Sequence, residues 1–142
     1  MTDVLARPIT GPRAPKPAPT VTPDGATRAD LDKFKLMLGR YLAGEMDEDV
    51  FRVFRLNNGV YGQRQQGHNQ MLRTKVPYGS LQPEQLEMFA YVADEYSRGW
   101  GHITTRQNVQ FHFVPLERVP AALDDLATVG ITTREALSLI HI

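Results

Sequence analysis

The sequence predicts an α+β fold built on a split β-α-β unit, its elements running β-α-β-β-α, and three observations predict it. Residues 71–76 and 108–114 alternate apolar and polar side chains with the period of a strand. After each comes a stretch with apolar residues at helical spacing, carrying a proline near its start, at Pro83 and Pro120. Glycine and proline punctuate the joints, at Pro77, Gly79, Gly99, Gly101, Pro115 and Gly130.

Residues 1–26 read as a tail. Six prolines (Pro8, Pro12, Pro15, Pro17, Pro19, Pro23) among Ala, Thr and Gly preclude helix and ladder, so this segment is predicted to be extended or disordered, with no function of its own. Residues 27–60 are predicted to form an N-terminal helix and an extended arm. Thr27 is the expected N-cap, Leu31, Phe34, Leu38, Tyr41 and Leu42 recur at helical spacing, and Gly44 stands where a glycine ends a helix. An acidic run at 45–49 leads into the arm, which Asn57-Asn58-Gly59 closes with a turn signal.

Residues 61–136 are expected to be the folded α+β domain, with a polar loop at 62–70. The strand at 71–76 is followed by a helix from Pro83 with the stripe Leu86, Phe89, Ala90, Ala93, Tyr96. Short strands at 102–104 and 108–114 follow, then a helix over 117–129 with the stripe Val119, Ala122, Leu123, Leu126, Val129. This order is ferredoxin-like with the last strand missing or incomplete. Both helices are expected on the apolar back of the sheet, leaving a polar front. Residues 137–142 read as an unrelated tail.

With 142 residues the chain has room for one ordinary domain. Its 16 basic and 16 acidic residues balance, so no global field draws it to nucleic acid or an anionic membrane. The distribution is uneven: between Asp49 and Glu84 there is no acid, yet Arg52, Arg55, Arg64, Arg73 and Lys75 fall there. A second acid-free window, between Glu95 and Glu117, holds Arg98 and Arg106. The absence of cysteine excludes disulfides, thiolate zinc sites and iron–sulfur ligation by these residues. No stretch is long and apolar enough to span a bilayer, and a cytoplasmic location, without membrane or nucleic-acid partners, is the expectation.

The chemistry concentrates on one predicted sheet face. Strand alternation puts Arg73 and Lys75 on the same side, opposite Leu72, Thr74 and Val76. It also groups Asn108, Gln110 and His112 opposite Val109, Phe111 and Phe113. Thr104, Thr105 and Arg106 add donors at the connection between the last two strands. Arginine binds carboxylates and oxyanions through a bidentate fork and lysine as a point charge, so this face suits a large anion. A solvated face of ordinary surface charges is the other reading that patterning leaves open. His68, His102, His112 and His141 lack metal-ligand spacing, and no protein metal ligands are expected. Nor is there a Ser-His-Asp set, a Gly-rich phosphate loop or a pair of catalytic carboxylates.

At these residues the sequence resembles the siroheme-dependent nitrite and sulfite reductase family. Met71-Leu72-Arg73-Thr74-Lys75-Val76-Pro77 is similar to that family's Met-Leu-Arg-x-Lys/Arg-x-Pro strand. The segment from Gly99 through Thr104-Thr105-Arg106-Gln107-Asn108-Val109-Gln110-Phe111-His112 resembles its Thr-Thr/Asn-Arg-Gln-x-x-Gln-x-His run. Pro83-Glu84-Gln85-Leu86 and the segment Val129 to Glu135 also fit, so the likeness covers residues 28–136. The resemblance implies a ferredoxin-like half-domain that helps hold siroheme, coupled in the family to a [4Fe–4S] cluster. The implied reaction is six-electron reduction of sulfite to sulfide or nitrite to ammonia, with ferredoxin or a flavoprotein as electron donor. It implies that Arg73 donates hydrogen bonds to the bound oxyanion. Lys75, Thr104, Thr105, Arg106, Gln110, His112 and Arg64 are implied as siroheme contacts.

The departures set expectations of their own. The family's cluster is held by four cysteines in a Cys-x5-Cys and Cys-x3-Cys arrangement beyond this region, and this sequence has none. After Ala136 the chain reads Leu137-Ser138-Leu139-Ile140-His141-Ile142 in place of the family's continuation. The expectation is therefore a truncated N-terminal fragment, inactive by itself, whose cluster ligands belong to a missing C-terminal part. The alternative is a ferredoxin-like module that binds RNA on its basic face, which requires aromatic side chains there for base stacking.

Overall fold

A computed structural model describes residues 13–62 and 69–134. Its core is a sheet of four strands in the order β1-β2-β4-β3: β1 (Val60–Gly62), β2 (Asn69–Arg73), β3 (His102–Ile103) and β4 (Val109–Pro115), every neighbouring pair antiparallel. Since β2 and β3 both run against β4, they are parallel to each other, and the chain between them crosses over through helix α3 (Pro83–Tyr96). Helix α4 (Val119–Ala127) follows β4, after a single tight turn at Leu116–Arg118. The predicted β-α-β-β-α order is therefore present as β2-α3-β3-β4-α4. The place of a final ferredoxin strand is occupied by one bridge, where Lys75 N–H donates to Thr132 O at 2.8 Å.

The stripe of α4 buries as its spacing requires, but that of α3 is rotated: Phe89, Ala93 and Tyr96 are buried, Leu86 and Ala90 are exposed, and Met88 and Val92 turn inward in their place. Met88, Phe89 and Val92 of α3, with Ala122, Leu123 and Leu126 of α4, share one core with Leu72, Phe111 and Val114 from the sheet. Pro83 opens α3, and Gln82 and Gln85 cap it reciprocally, side chain to backbone, satisfying amides that the first turn leaves free.

Upstream, the structure differs from expectation in three ways. Helix α1 (Gly25–Leu42) is capped by Asp24, not Thr27: the Thr27 N–H donates to Asp24 Oδ1 at 2.7 Å, so the threonine is the capped residue. The predicted extended arm is helix α2 (Glu48–Asn57), with Asp47 Oδ2 accepting from Asp49 N at 3.0 Å. Phe51 and Phe54, one turn apart, lie against Tyr41 and Phe34 of α1, and that packing overrides the extended bias of a Val-Phe-Arg-Val-Phe run. The loop expected at 62–70 holds the end of β1 at Gly62 and the start of β2 at Asn69 and Gln70.

The prolines do keep residues 13–24 extended, yet this stretch is a strap rather than a disordered tail. Ala14 N–H donates to Asp94 Oδ2 at 2.6 Å, Lys16 pairs with Asp125 at 2.8 Å, and the amides of Thr20 and Val21 both donate to Thr128 O. Arg64, His68, His141 and residues 137–142 lie outside the described residues. No described helix is long and apolar enough to cross a membrane.

Candidate functional site: a cationic sheet face

The central pair of strands brings the site together. Arg73 of β2 and Gln110 of β4 are direct cross-strand partners, and their neighbours Leu72 and Phe111 pair on the core face. With the Gln110 amide oxygen turned toward the guanidinium, it accepts from Arg73 Nε at 2.9 Å and from Nη2. No carboxylate pairs with Arg73 among the described residues. Burial first, and then the charge of Arg106, push its guanidinium below the usual arginine range. Arg73 is thus a half-buried cation facing a second cation, with a neutral amide as its partner. Lys75 lies two residues along the same strand, exposed, on the side that alternation assigns to Arg73.

Arg106 is carried by the hairpin between β3 and β4. The turn reaches Gln107 at φ 62°, the left-handed position with which such a connection returns to the strand. Thr104 Oγ1 donates to Asn108 Oδ1 at 2.6 Å and accepts from the amide of Arg106 at 3.2 Å. Its hydroxyl therefore holds the hairpin, and Thr105 and Arg106 are the members of that trio exposed at the tip.

The strand β4 carries a bulge that sequence alternation does not foresee. Leu72 pairs with Phe111, whereas Gln70 pairs with Val114, so β4 has one more residue than β2 in this interval. Phe113 takes φ 61°, and the alternation shifts by one. Val114 enters the core in its place, and Phe113 leaves the face expected for it to pack edge-on against Trp100, with the Arg98 guanidinium 4.1 Å from its ring centre.

His112, just before the shift, stacks on Trp100 with ring centres 5.3 Å apart and lies 6.1 Å from His102. Burial, and then the neighbouring His102, push its imidazole below the ordinary histidine range. Trp100 and His102 belong to this face and were not among the site residues expected from sequence. The signal for them was the hairpin register: His102 pairs with Gln110, which brings Trp100 opposite His112.

The structure thus gathers Arg73, Lys75, Gln110, Arg106 and His112 around the β2–β4 pair and assigns Thr104 to the turn. Arg64 falls outside the described residues. The other cations of the acid-free windows go elsewhere: Arg52 pairs with Asp49 on α2, and Arg55 donates to Val60 O at 3.3 Å.

Residues 61–129 match the family model of the nitrite/sulfite reductase ferredoxin-like half domain. Over that segment the chain is similar to this family. The half-domain is similar to the assimilatory ferredoxin-dependent nitrite reductase of Haloferax mediterranei, 37% identical over 89 residues, covering 55% of this chain and 15% of that protein. The chloroplastic ferredoxin–nitrite reductase of Oryza sativa subsp. japonica is 38% identical over 80 residues, covering 55% of this chain and 13% of the relative. The ferredoxin sulfite reductase of Mycobacterium tuberculosis is 31% identical over 94 residues, covering 55% and 17%. The solved structure of the Mycobacterium tuberculosis NirA protein matches with a TM-score of 0.65 and 27% identity, over 75% of this chain and 23% of that one. The chain spans less than a quarter of the length of each of these relatives.

Proposed function

We propose that this chain supplies a half-domain to a siroheme- and [4Fe–4S]-dependent reductase that converts sulfite to sulfide or nitrite to ammonia in a six-electron reaction. The names of its relatives support the substrate class and a ferredoxin donor, with a flavoprotein as the other expected donor. The observation that carries the reading is Arg73: a half-buried guanidinium beside Arg106 that, among the described residues, has a neutral amide and no carboxylate as its partner. Such a donor set fits a polycarboxylate macrocycle and a small oxyanion. It does not fit the cluster, because the chain has no cysteine, and the cluster ligands are assigned to residues outside this chain.

Siroheme, when bound, supplies the iron at which the oxyanion is reduced; the residues of this face bind, orient and neutralise. Arg73 donates to the oxyanion and stabilises the charge that grows as its oxygens are released as water. Lys75, Arg106 and Thr105 meet carboxylates at the rim, and Arg64 is an expected further contact. His112, kept neutral near pH 7 by burial, serves as a hydrogen-bond donor rather than a cation.

The test uses the purified chain. Siroheme is titrated in while the fluorescence of Trp100, the single tryptophan, is followed. The expected result is quenching that weakens with salt, with affinity reduced about tenfold in Arg73→Ala. Sulfite reduction driven by a chemical electron donor is expected to be absent from the chain alone. Tight binding of single-stranded RNA through the same residues, without siroheme binding, would replace this reading with the RNA-binding one.

A further inference from the structure

We infer that Gln110 is a positioning residue: its side-chain carbonyl fixes the Arg73 guanidinium so that the outer edge of the fork is left for an anion above the sheet. This deepens the proposed role of the same face and depends on it only for the identity of that anion.

The argument starts from register. Arg73 and Gln110 are opposite one another in the central strand pair, where side chains of one face lie in contact. Just beyond them the strands are locked again, by the Thr74 hydroxyl donating to Val109 O at 2.9 Å and the Thr74 amide to the same carbonyl. Both backbones are held, so only side-chain torsions remain to be set.

Gln110 is 6% exposed, which places its amide below the surface that a ligand would touch. A buried amide takes its partners from within the fold. Turned one way, its NH2 would confront the N–H groups of the guanidinium, donor against donor. Turned the other way, its oxygen accepts from Nε and Nη2 together. A guanidinium carries five N–H groups, and this arrangement uses one on Nε and one on Nη2. Both protons of Nη1 and the second of Nη2 remain, and one proton of Nη1 with that of Nη2 forms the end-on edge that grips a carboxylate or oxyanion in two parallel bonds. The same acceptor that immobilises the side chain therefore selects which edge is presented.

A neutral acceptor at this position has a consequence that a carboxylate would not. Glutamate would hold the same geometry but neutralise the cation, and an arriving anion would then meet a formed ion pair. Glutamine aims the guanidinium and leaves its charge unspent. Gln110 is thus removed from the set of direct ligand contacts and placed behind Arg73.

The experiment reads the guanidinium itself. In the 15N-labelled 142-residue chain, the Nε–H resonance of Arg73 is identified by its loss in Arg73→Lys. It is expected to be resolved and protected from solvent exchange, with exchange at least about tenfold faster in Gln110→Leu while the backbone amide spectrum is retained. Gln110→Glu is expected to keep the protection and move the resonance, and it carries the test alone if Gln110→Leu does not fold. An unprotected Arg73 Nε–H in the wild type, unchanged exchange in a folded Gln110→Leu, or an unmoved resonance in Gln110→Glu overturns the inference. Titration with inorganic sulfite separates the two layers. Arg73 shifts that appear in the wild type and vanish in Gln110→Glu support both. A protected, Gln110-dependent Nε–H that sulfite leaves unmoved supports the positioning role and overturns the oxyanion reading.

Discussion

His112 takes its chemistry from the ring stacked beneath it and the burial around it. Removing water from the imidazole disfavours its charged form, and His102 nearby disfavours it further. The folded state therefore binds its proton more weakly than the unfolded chain, whose histidine titrates at about 6.5. Below that value the unfolded state holds more protons, so the contribution of His112 to stability is present at neutral pH and lost as pH falls toward the lowered folded value. Chemical denaturation at pH 7 and pH 5 is expected to show this loss, and His112→Gln to shrink it. Trp100 reports the same event optically: an imidazolium stacked on an indole quenches its emission, so the fluorescence midpoint should lie below about 6.5 and disappear in His112→Gln. At this scale the sequence disclosed which side chains were present and, through alternation, the shared face of Arg73 and Lys75. It did not disclose Trp100, His102 or the new place of Phe113, because those follow from register and from a bulge, and both are decided by the partner strand.

Among the elements, those with long apolar stripes and terminal punctuation were legible, namely α1, α3, β4 and α4. Helix α2 was not, because it is short and rich in valine and phenylalanine, and its helical state rests on the Asp47 cap and on aromatic packing against α1. Asp47→Ala is expected to cost about 1 kcal/mol in urea denaturation, the usual value of a side-chain cap. The joint after α2 is tighter. Gly59 sits at φ 76°, and a Cβ there would collide with the Thr133 carbonyl oxygen and lie 2.9 Å from that of Arg73. Its own carbonyl accepts from the Arg73 amide at 2.9 Å, so it pins the strand that carries the central cation. Gly59→Ala combines left-handed strain with a backbone clash, each about 1–3 kcal/mol, and is expected to lower the melting temperature and to broaden the Arg73 resonances.

Over the whole molecule, balanced totals conceal a division of charge. Cations without acids gather on the sheet face, whereas the helix side carries Asp94, Glu95, Asp124 and Asp125. These acids meet Arg13, Lys16, Arg28 and Lys35 from the strap and α1. Asp125 is buried and accepts from the Tyr96 hydroxyl at 2.5 Å; burial first, and then this carboxylate, raise that phenol far above its ordinary range. Lys16 is its ion-pair partner, half exposed, so Lys16→Met is expected to cost only about 1 kcal/mol. Asp125→Ala strands a buried phenol as well and should cost about 1–3 kcal/mol more, with a double-mutant cycle isolating the pair. Sequence composition made the strap look dispensable, since proline forbids regular structure but does not forbid side chains and amides from finding acceptors on other elements.

The strap also imposes an order on events. Residues 13–24 leave the ribosome before Asp94, Asp125 and Thr128, on which they dock, which are synthesised roughly a hundred residues later, about 5–20 s at typical elongation rates. Contacts of such long sequence separation close late. The strap must therefore wait, unpartnered, until α4 exists to receive it.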